Sequence, residues 1–169
     1  TYSEIVDVTQ EGGDFLATIR KKPRYVDMDK CTGCGECAAA CRLTGRVISG
    51  FDAGMGKRAA IYVPFPQAVP LKYTVDAETC IFLTRGTCGK TFKCKDACPA
   101  DAIDFDMKEQ IIERRAQAVI VATGFDTVDA RVKPELGYGV YPEVITGLEF
   151  ERLVSSSGPS RGKITINNR

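Results

Sequence analysis

Eight cysteines carry most of the chemistry this chain can offer, and they fall into two groups of four. The first is Cys31, Cys34, Cys37 and Cys41 in CTGCGECAAAC, spaced C-x2-C-x2-C-x3-C. The second is Cys80, Cys88, Cys94 and Cys98, spaced C-x7-C-x5-C-x3-C and followed by Pro99. Three thiolates at x2 intervals on a loop point inward together, which is the arrangement that grips a four-iron, four-sulfur cubane. Gly33 and Gly35 let such a loop curl at positive φ and turn its amides toward the sulfurs. The x3 step moves onto a short helix over residues 36–42, which carries Cys41 away toward a second site. The chain contains no His. That removes Ser-His-Asp and Cys-His catalysis, His-bound zinc, Rieske centres and His-ligated haem from consideration.

An internal repeat links the two groups. VDMDKC (26–31) precedes the first and VDAETC (75–80) precedes the second, both reading V-D-x-[DE]-x-C, with Tyr25 and Tyr73 just upstream. Both groups also close with C-x3-C. A strand, a cluster loop and a short helix used twice is the pseudo-twofold plan of a two-cluster ferredoxin, in which each terminal Cys crosses to the other cluster. On that plan one [4Fe–4S] cluster is held by Cys31, Cys34, Cys37 and Cys98, and the other by Cys80, Cys88, Cys94 and Cys41. Two features depart from the usual pattern: the wide x7 and x5 spacings, and Arg42 where a Pro ordinarily follows the fourth Cys. The competing reading is a zinc-binding, Cys-rich interaction module without redox activity, although zinc ribbons favour two separated C-x2-C knuckles. Disulfides fit poorly, because no secretory signal opens the sequence.

The elements that must position these residues follow from composition and pattern. At 169 residues, 44% apolar and 27% charged, the chain reads as one or two small folded domains. A net charge of +1 gives no general attraction to nucleic acid or anionic lipid, and no apolar run is long enough to span a membrane, so a cytoplasmic location is expected. Between Cys31 and Cys98, however, nine Lys or Arg stand against five acids, which suits bound anionic clusters.

Outside the cysteine segment the pattern changes. YSEIVDVT and DFLATIRKK read as strands joined by Glu11-Gly12-Gly13 in a hairpin. Residues 43–72 read as a long irregular excursion. Within it, Gly54-Met55-Gly56-Lys57-Arg58 lacks phosphate-loop spacing and reads as a mobile turn. AIDFD (102–106) reads as a short strand closing the cysteine module. The continuous apolar run Ala118–Ala122 is expected to be a strand buried on both faces and ending in a Thr123-Gly124 turn. TGLEFERLVSSSG is expected to be a helix capped by Thr146, with Leu148, Phe150, Leu153 and Val154 on its apolar face and Gly158-Pro159 as its stop. The expected fold class is thus α+β, divided as 1–23, 24–106 and 107–169, with the middle part inserted into a larger domain. With no GxGxxG and a start directly in a strand, the chain is expected to be an excerpt of a longer protein.

CTGCGECAAAC, AIYVPFPQAVP, CKDACPADAI, AVIVATGFD and KPELGYGVYPEVITGLEFERLVSSSGP, in that order, resemble the A subunits of heterodisulfide reductases of methanogens and related bacteria. The resemblance runs over about residues 1–160, and the final KITINNR looks less family-like. It implies a two-[4Fe–4S] ferredoxin-like module inserted into part of an α/β, thioredoxin-reductase-like FAD domain. It also implies FAD in the full-length protein, with Ala122, Thr123 and Gly124 matching the flavin-proximal turn. The expected partners are heterodisulfide reductase subunits B and C and a hydrogenase- or formate-dehydrogenase-type donor. The whole would be an oxidoreductase, proposed in the family to bifurcate electrons at the flavin, and this portion an electron carrier.

Overall fold

The computed structural model describes residues 2–164. Its first two strands, β1 (Ser3–Glu11) and β2 (Asp14–Lys21), form the expected antiparallel hairpin. Gly12 and Gly13 turn it at φ +59 and +97, conformations that a two-residue hairpin turn requires and that a Cβ disfavours. The third strand of this sheet comes from far along the chain. Gln110–Ala116 runs antiparallel to β2, from Lys21↔Gln110 to Phe15↔Ala116, giving the order β1, β2, then the late strand. All eight cysteines therefore lie in a segment that leaves and re-enters the sheet between two hydrogen-bonded neighbours.

That intervening segment holds the core. Val26 bridges Ile103 antiparallel, and β3 (Val47–Ser49) pairs with β4 (Gly56–Arg58). A second pair is β5 (Ile61–Tyr62) with β6 (Thr74–Val75), and the Val75 amide donates to the Arg24 carbonyl at 2.9 Å, tying the two repeats side by side. Three short helices follow the cysteine loops: α1 (Glu36–Ala40), α2 (Ile81–Arg85) and α3 (Lys93–Asp96). Val26, Ala60, Ile61, Val75, Ala102 and Ile103 are buried together with Cys31, Cys37 and Cys80, so thiols form part of the core itself. The late strand is β7, and α4 (Gly147–Val154) lies beyond it.

Several expectations are corrected. The 43–72 excursion is not wholly irregular, because β3 and β4 form a hairpin whose turn contains Gly54 at φ +82. AIDFD contributes a single bridge at Ile103, not a strand. Residues 118–122 form no strand and are exposed, Ile120 at 91% and Val121 at 78%. An apolar run becomes a buried strand only when neighbours complete its ladder and cover its faces, and among the described residues none does. Thr146 does cap α4, in a capping box with Glu149, but the helix ends at Val154, before Gly158-Pro159. Its apolar side is not buried either: Leu148, Phe150 and Val154 are exposed, while Arg152 is the buried residue. Residues 165–169, most of KITINNR, lie outside the described residues.

Candidate metal centres

The structure sorts the eight thiols into two sets of four, and the sets are not the sequential groups. Cys31, Cys34, Cys37 and Cys98 line one cavity. Val26, Tyr73, Ala102 and Ile103 supply much of the remaining wall. Cys41, Cys80, Cys88 and Cys94 line another, walled by Ile61, Val75, Phe82, Phe92 and Phe105. Cys41 and Cys98, the last member of each sequential group, have exchanged places.

Local structure explains how each loop is aimed. Asp27 takes the amides of Asp29 and Lys30 on one carboxylate oxygen, while its carbonyl accepts the Cys31 amide at 2.9 Å. Asp76 repeats the device with Glu78, Thr79 and Cys80. This turn chemistry is the physical content of the V-D-x-[DE]-x-C repeat. Gly33 and Gly35 stand at φ +77 and +91. A Cβ on Gly33 would lie 2.6 Å from the Leu71 carbonyl oxygen, and one on Gly35 would lie 3.1 Å from the Tyr73 hydroxyl, so only glycine lets residues 71–73 close over the first loop. The crossing sulfurs also accept backbone amides: Cys41 Sγ from Leu43 at 3.5 Å and Cys98 Sγ from Ala102 at 3.4 Å.

The electrostatics of the thiols follow the same partition. Burial pushes the Cys37 thiol up to about 12, and neighbouring Cys31, Cys98 and Cys34 add to the push. Burial pushes Cys94 up to about 11, with Cys41 the leading neighbour, and raises Cys80, which feels Cys88 and Cys41. Such thiols hold their protons at neutral pH, so a metal must displace protons to bind. Among the described residues, no three Cys, Asp or Glu side chains are gathered as the ligands of a single metal ion. Each foursome lines a mostly apolar pocket.

Four supporting residues were not evident in the sequence as site components. Tyr73 lines the first cavity, and Lys72 Nζ donates to the Cys31 carbonyl. Arg58 meets Asp76 at 2.6 Å and stacks over Tyr62 with its guanidinium carbon 3.7 Å from the ring centre. Phe82 packs on Phe92 and Phe105, centroids 4.6 and 4.8 Å away, along the second cavity. Only the Tyr73 position carried a signal, through its place in the repeat. Ala122, Thr123 and Gly124 are exposed and touch neither cavity.

Comparison with known proteins agrees with this chemistry. The 4Fe-4S binding domain family matches residues 24–42, so a ferredoxin-like 4Fe-4S domain is present within a mixed helix and strand fold. The chain is 49% identical, over 96% of its length, to the iron-sulfur A subunit of the CoB--CoM heterodisulfide reductase of Methanocaldococcus jannaschii. It is 51% identical over 97% of its length to the second of two iron-sulfur A subunits of that reductase in Methanopyrus kandleri. It is 50% identical over 96% to the A subunit of the H(2)/formate:CoB-CoM heterodisulfide,ferredoxin reductase of Methanococcus maripaludis. The motif resemblance to these A subunits thus holds along nearly the whole chain, which spans only 23–24% of the length of these relatives. An iron-sulfur electron-transfer role is supported at this level. No helix among the described residues is long and apolar enough to cross a membrane.

Proposed function

We propose that the chain is a one-electron relay built on two [4Fe–4S] clusters, one held by Cys31, Cys34, Cys37 and Cys98 and the other by Cys41, Cys80, Cys88 and Cys94. The observation that carries the reading is the exchange of Cys41 and Cys98 between two thiol-ringed cavities. Each cubane, when bound, accepts and releases a single electron. The chain's own residues supply everything else. The crossed cysteines sit at the ends of C-x3-C steps, so each short helix joins one cavity to the other and keeps the two centres close. Val26, Ile61, Val75 and the three phenylalanines give the cavities apolar walls, Cys31, Cys37 and Cys80 being buried and Cys34 exposed, and backbone amides such as those of Leu43 and Ala102 offset negative charge at the sulfurs.

In the same proposal the relay serves a flavin-containing oxidoreductase of heterodisulfide-reductase type. The module, over 24–106, is inserted into an FAD domain to which 1–23 and 107–169 belong, with Ala122, Thr123 and Gly124 near the flavin. Electrons pass between that flavin and partner redox subunits, B and C and a hydrogenase- or formate-dehydrogenase-type donor. The names of relatives, which couple heterodisulfide reduction to hydrogen, formate or ferredoxin, support this setting. Single Cys→Ser variants test the ligand sets. With Cys98→Ser the EPR signal of the first centre is expected to be lost or changed while the second persists, and with Cys41→Ser the reverse. Loss of the second centre alone on Cys98→Ser would contradict the crossover.

A further inference from the structure

Two cationic residues, Arg42 and Lys93, line the second cavity, and the position of Arg42 is one that the ligand pattern does not explain. Arg42 directly follows the crossing Cys41, where the first-group pattern ordinarily has Pro and where Pro99 follows Cys98 in the other repeat. Arg42 is among the residues at the second cavity, together with Cys88. The guanidinium also occupies the space over Gly89: a Cβ there would collide with Arg42 Nη2 and lie 2.8 Å from Cζ. Gly89, at φ +89, is the residue after Cys88, in the widened segment between Cys80 and Cys94. Two departures from the compact ferredoxin pattern, an Arg in place of Pro and a stretched spacing around Cys88, therefore meet at one point. Arg42 is itself an exposed residue and forms no ion pair to a carboxylate among the described residues, so its charge stands at the Cys88–Gly89 turn, on the solvent side of the second cavity, uncompensated by an acid.

We propose that Arg42 is the positioning residue of the second centre: its guanidinium packs over the glycine turn to hold Cys88 toward the cavity, and its fixed positive charge raises the reduction potential of the cluster bound there. This rests on the two-cluster reading above. A planar guanidinium suits both tasks, since it stays charged at any accessible pH and lies flat against a backbone that has no side chain. A cation close to an anionic cluster favours the reduced, more negative state, and the effect fades with distance and solvent screening. The first centre has no cationic side chain in its cavity wall, and Lys72 there is occupied by the Cys31 carbonyl. Arg42 thus acts on one centre and sets it apart from the other.

The test is an EPR-monitored redox titration of the anaerobically purified protein and its Arg42→Gln, Arg42→Lys and Gly89→Ala variants, with iron and acid-labile sulfide counted for each. Arg42→Gln is expected to shift the midpoint of the second centre to more negative values and leave the first unmoved. Arg42→Lys, which keeps charge but not the flat fork, is expected to fall between Gln and the unsubstituted protein. Gly89→Ala, which pushes the guanidinium off the turn, is expected to shift the second midpoint in the same direction as Arg42→Gln. If Arg42→Gln loses the second cluster outright, Arg42→Lys and Gly89→Ala decide, and unmoved midpoints in both overturn the proposal. Full iron with both midpoints unchanged in Arg42→Gln overturns the Arg42 role alone. An unsubstituted protein without iron and sulfide at the second site overturns the two-cluster reading and this role with it.

Discussion

Gly33 shows at one position why the first cysteine run is punctuated by glycine. It stands at φ +77, and a Cβ there would meet the Leu71 carbonyl oxygen at 2.6 Å. Both the backbone conformation and the close approach of residues 71–73 forbid a side chain. Gly33→Ala is expected to destabilise the protein by about 1–3 kcal/mol and to weaken the first centre's EPR signal before the second's. A denaturation midpoint and paired spectra check this, and an unchanged midpoint would mean that the loop repacks freely. The two sets of four thiols were legible as candidates because a cubane imposes spacing that few other structures need. Their supporting residues were not. Lys72 reaches a carbonyl 41 positions away and Arg58 a carboxylate 18 positions away, and no spacing rule encodes such contacts.

At the scale of elements, Asp76 joins the β4 strand to the second cysteine loop. Burial works to raise its pKa, but the Arg58 guanidinium and the hydrogen bonds from Thr79 outweigh burial and hold it below the ordinary carboxylate value. A depressed folded-state pKa means stability that is present above the unfolded carboxylate range and lost as pH falls through the folded value. Asp76→Ala is therefore expected to cost about 1–3 kcal/mol at neutral pH and to flatten the acid limb of the stability curve. Equal losses at pH 7 and at strongly acidic pH would contradict that role. Elements were legible where their cause is local: the Gly12-Gly13 turn between the first two strands, and the Thr146 cap of α4. They were misread where the cause is a neighbour. Residues 118–122 have the composition of a buried strand but no ladder among the described residues, and the apolar side of α4 stays exposed while Arg152 turns inward to Asp52 at 3.0 Å. The β3–β4 hairpin, with three residues to a strand, is too short for alternation to show.

For the molecule as a whole, the sheet and the cysteine module are stabilised differently. β1 is exposed along its whole length, whereas the module's few buried aliphatic residues surround two thiol-ringed cavities. A core of this size holds a fold together only weakly without a metal staple, so cluster assembly and folding of residues 24–106 are expected to be one process. Composition marked out the cysteine-rich segment, since cysteines, charge and the repeat all stop near the same places, and in the fold that segment lies between β2 and β7. The pairing of β2 with β7 across some ninety intervening residues was not legible, because strand partnership over that distance leaves no mark in either segment. The central claim is that two cubanes occupy the two cavities. Anaerobic purification with iron, acid-labile sulfide and zinc counted per chain tests it most directly. The account predicts about eight iron and about eight sulfide per chain. Zinc without sulfide, or iron sufficient for a single cluster, would contradict it.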